Sequence, residues 1–310
     1  MTGFLILHYK TIRETIACVD SIRGLEDAGG YHILIADNGS ADGTYEELSA
    51  RYADDGDVTV ITTGQNLGFS AGNNAGWAAF PGRDALDALV VCNSDVVFAQ
   101  KDFLVRLAAQ PDYDILGPDI RVPRGRRWVH SSPMPPVAAK ESTIRCNRAV
   151  RQARLAAAQR RPAASLLSAK LHYPDGRAMA GHLYYMLSSH WFRFKNQMRN
   201  APDVGVLLQG ACLIFSRRYC RRYEKLFDPE PFLYYEELLL WLKARRDNLL
   251  VRYDPSLWVQ HWEGRATKAD AAGQIEHYLF VQRQMERSEQ LVLERFRCLA
   301  ASDPEKGPIA

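Results

Sequence analysis

The chain has 310 residues, of which 47% are hydrophobic, so it can form the core of one large α/β domain or of two smaller ones. Its formal net charge is only +3, so overall charge gives no indication of nucleic acid as a partner. The six cysteines form no C-x-x-C pair, and no apolar run approaches the ~18 residues of a transmembrane helix. We therefore expect a cytoplasmic protein with reduced thiols that is soluble or, at most, peripheral at a membrane.

Strand and helix patterns alternate over the first 120 residues. Short apolar runs predict strands, and apolar residues three or four positions apart predict helices. The predicted strands span 4–8, 31–37, 57–62, 88–95 and 113–120, and the predicted helices span 11–25, 44–52, 71–80 and 101–110. Thr44 and Glu47 fit a capping box in the second helix. Such alternation indicates a mainly parallel sheet covered by helices on both faces.

The rest of the chain is less regular and more basic. The predicted elements are, in order, a hairpin or loop at 121–137, a basic helix at 142–162, an aromatic and basic segment at 181–200, a strand region at 204–218, a helix at 236–246, a strand at 249–255 and a long charged helix from about 270 to 299. This second half therefore adds further strands and a helical tail to the α/β core.

Polar side chains follow three of the predicted strands. His8 and Tyr9 end the first strand, the run "DNGS" begins at Asp37 after the second, and "NSD" occupies 93–95 at the end of the fourth. Ligands of parallel α/β sheets bind beyond the carboxyl ends of the strands. One polar strand end alone is an ordinary turn, but three along a single edge predict a binding site.

Six motifs occur in one order: "ADNGSADGT", "NLGFSAGNNAGW", "VVCNSDVVF", "GACLIFSRR", "FDPEPFLYYEELLLWLKAR" and "VQHWEG". Together they resemble the inverting family-2 glycosyltransferases with a GT-A fold, particularly the bacterial branch that includes rhamnosyltransferases. The resemblance covers residues 3–120 and 205–267, whereas 121–204 match no family. It implies an α/β, Rossmann-like fold with a mainly parallel central sheet, helices on both faces and a C-terminal helical extension.

The resemblance also divides the chain by role. It implies a nucleotide-sugar-binding half at 1–120, a variable basic and aromatic insertion on the acceptor side at 121–204, an acceptor and catalytic half at 205–268, and a helical tail at 269–310. The implied activity moves a sugar from a UDP- or dTDP-sugar to a glycan or lipid-linked saccharide acceptor in cell-surface polysaccharide synthesis. A nucleotidyltransferase is disfavoured because the segment "LHYKTIRET" after the first strand has no glycine.

The same resemblance places the nucleotide. Tyr9 and Asp37 are expected at the base and ribose, where Asp37 would accept from the N3–H of uracil or thymine. Asn66, Gly68 and Asn73 would form the loop and helix start near the nucleotide, since glycine permits close backbone approach and a helix N-terminus favours anions. The alternatives are a turn aspartate and a glycine-permitted turn before a packed helix.

The "NSD" run takes the position of the family's Asp-x-Asp motif. Asn93 and Ser94 are then expected at the nucleotide-sugar, and Asp95 would hold a divalent cation, Mn²⁺ or Mg²⁺, both of which accept oxygen ligands. Asn93 replaces the first aspartate of the motif and adds no charge. His261 matches a histidine that in some members completes the metal site, and a structural histidine beside Trp262 is the alternative.

The run "FLYYEE" corresponds to the family segment that opens the catalytic helix. Glu237 takes the place of the usual aspartate, so Glu237, with Glu236 beside it, is expected to accept the proton of the acceptor hydroxyl. Two acids at a helix N-terminus also suit the helix dipole with no catalytic role. Leu239 replaces a second acid common in the family. Together with Asn93 and Glu237, this departure keeps open a degenerate protein that binds nucleotide or glycan without turnover.

Three further features concern surfaces. Arginines recur about every three residues from Arg145 to Arg161 and, with the aromatic residues at 191–194, suit a membrane surface; a solvated helix face over packed aromatics is the alternative. Arg265 and Lys268 suit either a loop that meets phosphates or a solvated basic face. The long C-terminal helix can pack on its own domain or pair with a second copy in a homodimer.

Overall fold

The amino-terminal half alternates strands and helices as its apolar pattern predicts. The computed structural model describes residues 1–26, 29–160, 173–198, 200–262 and 274–302. Its first elements are β1 (Thr2–His8), α1 (Ile12–Arg23), β2 (Tyr31–Asp37), α2 (Thr44–Arg51), β3 (Val58–Thr62), α3 (Gly68–Ala78), β4 (Ala88–Asn93), β5 (Val96–Val97), α4 (Phe103–Ala108) and β6 (Ile115–Arg124).

The second half begins with the predicted hairpin, in which a short strand at Arg127–His130 pairs with β6. The later elements are β7 (Arg127–His130), α5 (Glu141–Arg160), α6 (Gly176–Met198), β8 (Asp203–Val204), β9 (Cys212–Ser216), α7 (Arg217–Arg222), α8 (Glu236–Arg246), β10 (Val251–His261) and α9 (Gln274–Ser302). The predicted strand region at 204–218 is therefore two short strands with a loop between them. None of the described helices combines the length and the apolar character that crossing a membrane requires.

The strands described here form one curled sheet of ten, with the main order β3-β2-β1-β4-β9-β6-β10-β5. Pairing is parallel from β3 to β4 and between β6 and β10. β9 lies between β4 and β6 and runs antiparallel to both. Because β9 runs in the opposite direction, the residues just before it lie beside the carboxyl end of β4.

Alternate residues of the strands face opposite sides of the sheet, as strand geometry requires. Phe4 and Ile6 of β1 pack in a core on one face, together with residues of α1 and α4. Leu5, between them, packs in a second core that includes Trp77 of α3. The predicted α/β sheet with helices on both faces is therefore confirmed.

The capping box predicted at Thr44 and Glu47 is wrong. The residue that precedes α2 is Gly43, in a left-handed conformation, and it makes no side-chain capping hydrogen bond. Thr44 lies inside the first turn, where its hydroxyl donates to Asp42 Oδ1 (2.6 Å) and contacts His8 Nε2 (3.0 Å). Since glycine adopts a positive φ without strain, the left-handed backbone of Gly43 turns the chain into the helix, and no side-chain cap is present.

The basic helix α5 packs against α9, and two of its arginines form ion pairs there. Arg148 lies 2.9 Å from Glu286, and Arg151 lies 2.8 Å from Glu289. Neither expected interpretation, a membrane surface or a solvated face, holds for these two residues. α9 also packs on α8 through a third apolar cluster, so the predicted alternative in which this helix packs on its own chain is the one observed.

Candidate active site

A cavity of about 590 Å³ lies at the carboxyl ends of β1 and β4. Binding sites for small ligands typically have volumes of roughly 300–1,000 Å³. Most of the residues that line it come from the two sequence regions that carry the motifs, and the others come from α9. Nine of the predicted site residues line it: Tyr9, Asn66, Gly68, Asn93, Ser94, Asp95, Glu236, Glu237 and His261. Asp37 and Asn73 are not in its lining, and the predicted residues Arg265 and Lys268 lie outside the described chain.

Asp37 is buried beneath the polar edge, with only 1% of its surface exposed. Its Oδ1 accepts a hydrogen bond from the Ser40 hydroxyl (2.5 Å), and its Oδ2 accepts one from the Thr62 hydroxyl (2.9 Å). These bonds satisfy a buried carboxylate, as burial requires. The next residue, Asn38, lines the cavity instead, so recognition of a base by Asp37 stays a prediction.

Asn38 holds the loop that leads into α3. Its Nδ2 donates to Asn66 Oδ1 (3.1 Å) and to the Gly68 carbonyl (3.0 Å), and its Oδ1 accepts from the Leu67 N–H (3.0 Å). Asn66 Oδ1 also accepts from the Gly68 N–H (2.9 Å). Asn73 is fully buried within α3, where its Nδ2 donates to the Phe69 carbonyl, so a contact between Asn73 and the nucleotide stays a prediction.

Gly68 joins the two halves of the site by direct backbone contact. Its φ is +78°, and a Cβ at this position would lie 2.1 Å from the Phe232 carbonyl oxygen. The Phe69 N–H donates to the same oxygen at 2.7 Å. Only glycine combines this conformation with this approach. The glycine therefore positions the segment from Phe232 to Glu236 against α3, as well as lining the cavity.

The end of β4 is tied to its neighbours on both sides. The Asn93 N–H donates to the Ala211 carbonyl (3.0 Å), and the hydroxyls of Ser94 and Thr11 are 2.8 Å apart. These contacts fix the backbone of the "NSD" run while the Asn93 side chain faces the cavity. An amide at this position offers both hydrogen-bond donors and an acceptor to a ligand.

Asp95 and His261 lie together although they are far apart in sequence. His261 pairs with Val96 in the antiparallel ladder between β10 and β5, and its Nε2 lies 3.1 Å from Asp95 Oδ1. His261 Nδ1 is buried and has no hydrogen-bond partner within the described residues. A carboxylate and an imidazole at this separation can form a hydrogen bond or act as neighbouring ligands of one metal ion.

Glu236 and Glu237 open α8 and also line the cavity. Burial raises the pKa of the Glu236 carboxyl well above its usual range, and the charge of Glu237 adds to this effect. Burial also raises the pKa of Glu237, opposed by backbone N–H donors that include Gly210, 3.1 Å from its Oε1. Two adjacent half-buried acids with different surroundings suit proton transfer.

The backbone in front of the two acids is held in an uncommon conformation. Tyr234 and Tyr235 have φ angles of +68° and +66°, which are unfavourable for residues with side chains. α9 supplies contacts that hold this segment: the Ser288 hydroxyl donates to the Leu233 carbonyl (2.8 Å), and the Tyr235 hydroxyl donates to Glu289 Oε1 (2.6 Å). Such strain persists where the surrounding structure stabilises it, often at functional sites.

Sequence reasoning did not assign part of the cavity lining. Gln209, Gly210 and Ala211 line it because the antiparallel β9 brings its preceding loop beside β4. Gly210 and Ala211 belong to the "GACLIFSRR" motif, which is the signal of this segment in the sequence. Glu276, His277 and Phe280 reach the cavity from the first turns of α9. No local pattern marks them, since their place depends on how the tail packs.

Comparisons with known proteins agree with this architecture. The model of the family "Glycosyl transferase family 2" matches residues 6–167, more than half of the chain. The chain is 28% identical over 257 residues to the N-acetylglucosaminyl-diphospho-decaprenol L-rhamnosyltransferase of Mycobacterium tuberculosis, in strains CDC 1551 / Oshkosh and ATCC 25618 / H37Rv, a match that covers 78% of this chain and 70% of that protein.

Among solved structures, S. aureus TarS 1-349 in complex with UDP-GlcNAc has a TM-score of 0.51 and 14% identity, covering 97% of this chain and 70% of that one. S. aureus TarS 1-349 has a TM-score of 0.50 and 12% identity, covering 97% and 73%. At these identities the similarity concerns the fold, and it supports the GT-A architecture. With its family model matched over more than half of its length, this chain belongs to glycosyl transferase family 2 and is a glycosyltransferase.

Proposed function

We propose that this enzyme moves a hexose, with inversion, from a UDP- or dTDP-sugar to a hydroxyl of a lipid-linked saccharide in cell-surface polysaccharide synthesis. The observation that carries the proposal is that the Glu236–Glu237 pair and the Asp95–His261 pair line the same cavity. Transfer with inversion needs a base for the attacking hydroxyl and a stabilised leaving diphosphate on the opposite side of the sugar. The two pairs supply groups suited to these two tasks.

We assign the general base to Glu237. In a pair of interacting acids, the group with the more strongly raised pKa keeps its proton, and the other carries the charge. Burial and the neighbouring charge act together on Glu236, whereas backbone N–H groups stabilise the charge on Glu237. Glu237 would thus be ionised and oriented by the Gly210 N–H to accept the hydroxyl proton, with Glu236 as its protonated neighbour.

Asp95 and His261 fit the protein part of a divalent cation site. Neighbouring ligands ~2.1 Å from one ion are roughly 3 Å apart, and Asp95 Oδ1 and His261 Nε2 are 3.1 Å apart. The described residues contain no cluster of three or more His, Cys, Asp or Glu side chains suited to a metal, so donor phosphates and water would supply the other ligands. Bound Mn²⁺ or Mg²⁺ would neutralise charge on the leaving diphosphate.

The donor would lie along the strand ends, with its nucleotide toward Tyr9 and the Asp37–Asn38 turn and its sugar toward Asn93 and Ser94. Residues 1–120 would form this donor half, and residues 205–268 would form the catalytic half, with the insertion at 121–204 on the acceptor side. The proposed acceptor class follows from the similarity to the mycobacterial relative, an N-acetylglucosaminyl-diphospho-decaprenol L-rhamnosyltransferase.

The second candidate is a binding protein without turnover. It is favoured by Asn93, which removes one charge from the metal motif, and by Leu239 in place of a family acid. Leu239 is buried in the apolar cluster between α8 and α9, where it contributes to packing. Because packing alone explains why a leucine stands at this position, Leu239 is not evidence that activity has been lost. We therefore favour the active enzyme.

A donor screen separates the two candidates. The protein is incubated with UDP- and dTDP-sugars, Mn²⁺ and a lipid-diphosphate-linked saccharide, and release of nucleoside diphosphate is followed. We expect acceptor-stimulated release with at least one donor. Binding of UDP or dTDP without release from any donor would instead support the binding protein.

A further inference from the structure

Helix α6 exposes an unusual number of large apolar side chains. Eight of them have between 43% and 74% of their surface exposed: Met179, Leu183, Tyr184, Met186, Leu187, Trp191, Phe194 and Met198. Contiguous exposed apolar surface of this kind marks an interaction site in soluble domains. The helix nevertheless packs on its own chain through its other side, where Ala178 and Ser189 are buried.

The eight side chains form one stripe along the helix. At about 100° per residue, their positions cover roughly 160° of the helix circumference, and the 23 residues extend ~35 Å. We call this surface the α6 stripe. It has the length and width of an amphipathic helix that lies in a membrane interface rather than crossing it.

Within α6, the charged residues beside the α6 stripe all have one sign, and the exposed Asp175 lies one residue before the helix. Residues 176–198 include Arg177, Arg193 and Lys195 and no aspartate or glutamate. On the same projection, Arg193 borders one edge of the stripe, whereas Arg177 and Lys195 border the other. Basic residues flanking an apolar face attract anionic lipid headgroups, while their long side chains reach toward the water.

Charge also argues against a second copy of this chain as the partner that covers the α6 stripe. Packing two α6 stripes together would bring the three basic side chains of each helix to one interface, with no acid within either helix to offset them. The basic helix α5 is a weaker candidate for a membrane surface, because its Arg148 and Arg151 are engaged with α9. The α6 stripe therefore combines apolar exposure with charge that favours an anionic surface.

The carboxyl end of α6 is connected to the cavity through β7. Gln197 Oε1 accepts from the His130 N–H (3.0 Å), and Gln197 Nε2 donates to the His130 carbonyl (2.8 Å). Trp128, also on β7, makes an edge-to-face contact with Trp262, their centroids 5.3 Å apart. Trp262 directly follows His261 of the cavity lining. β7 thus connects the carboxyl end of α6 to Trp262 and, through it, to His261. A surface that binds α6 would therefore lie near the candidate active site.

We infer that α6 docks the enzyme on an anionic lipid bilayer by placing the α6 stripe among the headgroups and upper acyl chains. Arg177, Arg193 and Lys195 contact the phosphates of the headgroups. The docking rests on α6 alone, but its purpose rests on the proposed lipid-linked acceptor, whose diphosphate lies at the same interface. No covalent step is involved.

Vesicle sedimentation tests the docking with the full chain. Phosphatidylcholine vesicles with and without phosphatidylglycerol are mixed with the wild type and with Leu187→Glu and Trp191→Glu. Because each substitution replaces a large apolar side chain of the α6 stripe with a charged one, we expect it to lower the partition coefficient on anionic vesicles about tenfold or more. Lys195→Glu should weaken binding to anionic vesicles and leave the weak binding to neutral vesicles unchanged.

Two controls come from other exposed surfaces. Val105→Glu puts the same acid on α4 at a valine with 47% of its surface exposed, and it should bind vesicles as the wild type does. Arg221→Glu tests the arginine cluster on α7 and should also have no effect. Thermal unfolding of all variants should match the wild type, since every changed side chain is exposed.

Two results would overturn the docking. One is a wild type that does not sediment with anionic vesicles, and the other is Leu187→Glu and Trp191→Glu variants that sediment as the wild type does. If the wild type is a dimer that Trp191→Glu dissociates and neither binds vesicles, a second copy covers the stripe instead. UDP binding, measured on the same variants, separates the proposals: lost docking with unchanged UDP binding leaves the transferase proposal intact.

Discussion

The hydroxyl of Tyr235 donates a 2.6 Å hydrogen bond to Oε1 of Glu289, which joins the residue before α8 to the middle of α9. Glu289 is fully buried and also accepts from Arg151 Nε at 2.8 Å. Three segments that are distant in sequence, namely α5, the residue before α8 and α9, thus meet close to the helix that carries the candidate base. Because Tyr235 has a positive φ, these contacts stabilise a backbone conformation that sets the start of α8.

We expect Glu289→Gln to lower the free energy of unfolding by about 3 kcal/mol, because it leaves Arg151 buried without a charged partner. Tyr235→Phe should cost about 1 kcal/mol and lower kcat more than it changes donor KM. Urea denaturation and steady-state kinetics measure these effects. The matched control is Glu286→Gln, which breaks the more exposed pair with Arg148 and should cost less than about 1 kcal/mol. Equal losses for Glu286→Gln and Glu289→Gln would contradict the account.

Gly68→Ala tests the backbone contact between the two halves of the site. An added Cβ would lie 2.1 Å from the Phe232 carbonyl oxygen, so we expect a loss of about 2 kcal/mol or more and weaker nucleotide binding. Gly64→Ala is the control: its φ is +74°, but a Cβ there meets nothing within 4 Å. It should cost only the conformational strain, about 1 kcal/mol. Thermal unfolding and UDP titration measure both variants, and similar losses would refute the contact's importance.

The strands and the regular helices follow closely from local patterns. The helix predicted at 236–246 is confirmed at both ends, and strands β1, β2 and β4 bring Tyr9 and Asn93 to one edge as their apolar runs predict. The order of the six motifs indicates which strand ends meet. For this reason the sequence could predict nine of the residues that line the cavity.

The remaining features depend on packing that no local pattern contains. Gly210 reaches the site only because β9 runs antiparallel, and His277 reaches it only because α9 packs back over α8. Asp37 is bonded to Ser40 and Thr62, which a strand-end aspartate alone does not reveal. Arginine spacing predicted a helical face, but its partners on α9 lie more than 130 positions away.

The raised pKa values of Glu236 and Glu237 predict how stability depends on pH. Below the unfolded carboxyl pKa of ~4.3, both states hold their protons and the pair costs nothing. As pH rises from there toward the raised pKa of the folded protein, only the unfolded chain releases protons, so the free energy of unfolding falls.

Glu236→Gln removes the more strongly shifted acid. We expect it to increase the free energy of unfolding at pH 7.5 by on the order of 1 kcal/mol, with a smaller effect near pH 4. Urea denaturation at the two pH values measures the difference. If Glu236→Gln lowered the free energy of unfolding equally at both pH values, burial of the pair would carry no electrostatic cost.

Asp95→Asn tests the cation site. Because it removes the carboxylate charge while keeping the side chain's size, we expect stimulation by Mn²⁺ to be lost and turnover to fall at least tenfold. Nucleoside diphosphate release with Mn²⁺ and with a chelator measures this. Asp84→Asn, at an exposed position outside the cavity lining, is the control and should keep full stimulation. Retained Mn²⁺ stimulation in Asp95→Asn would rule out Asp95 as a ligand.

The central claim is that Glu237 takes the proton of the acceptor hydroxyl. The most direct measurement compares acceptor-dependent nucleoside diphosphate release by the wild type and by Glu237→Gln, alongside UDP affinity. We expect turnover to fall about 100-fold or more, with UDP affinity changed by less than about threefold, because the glutamine keeps the shape of the side chain and loses only the base. Wild-type turnover in Glu237→Gln would contradict it.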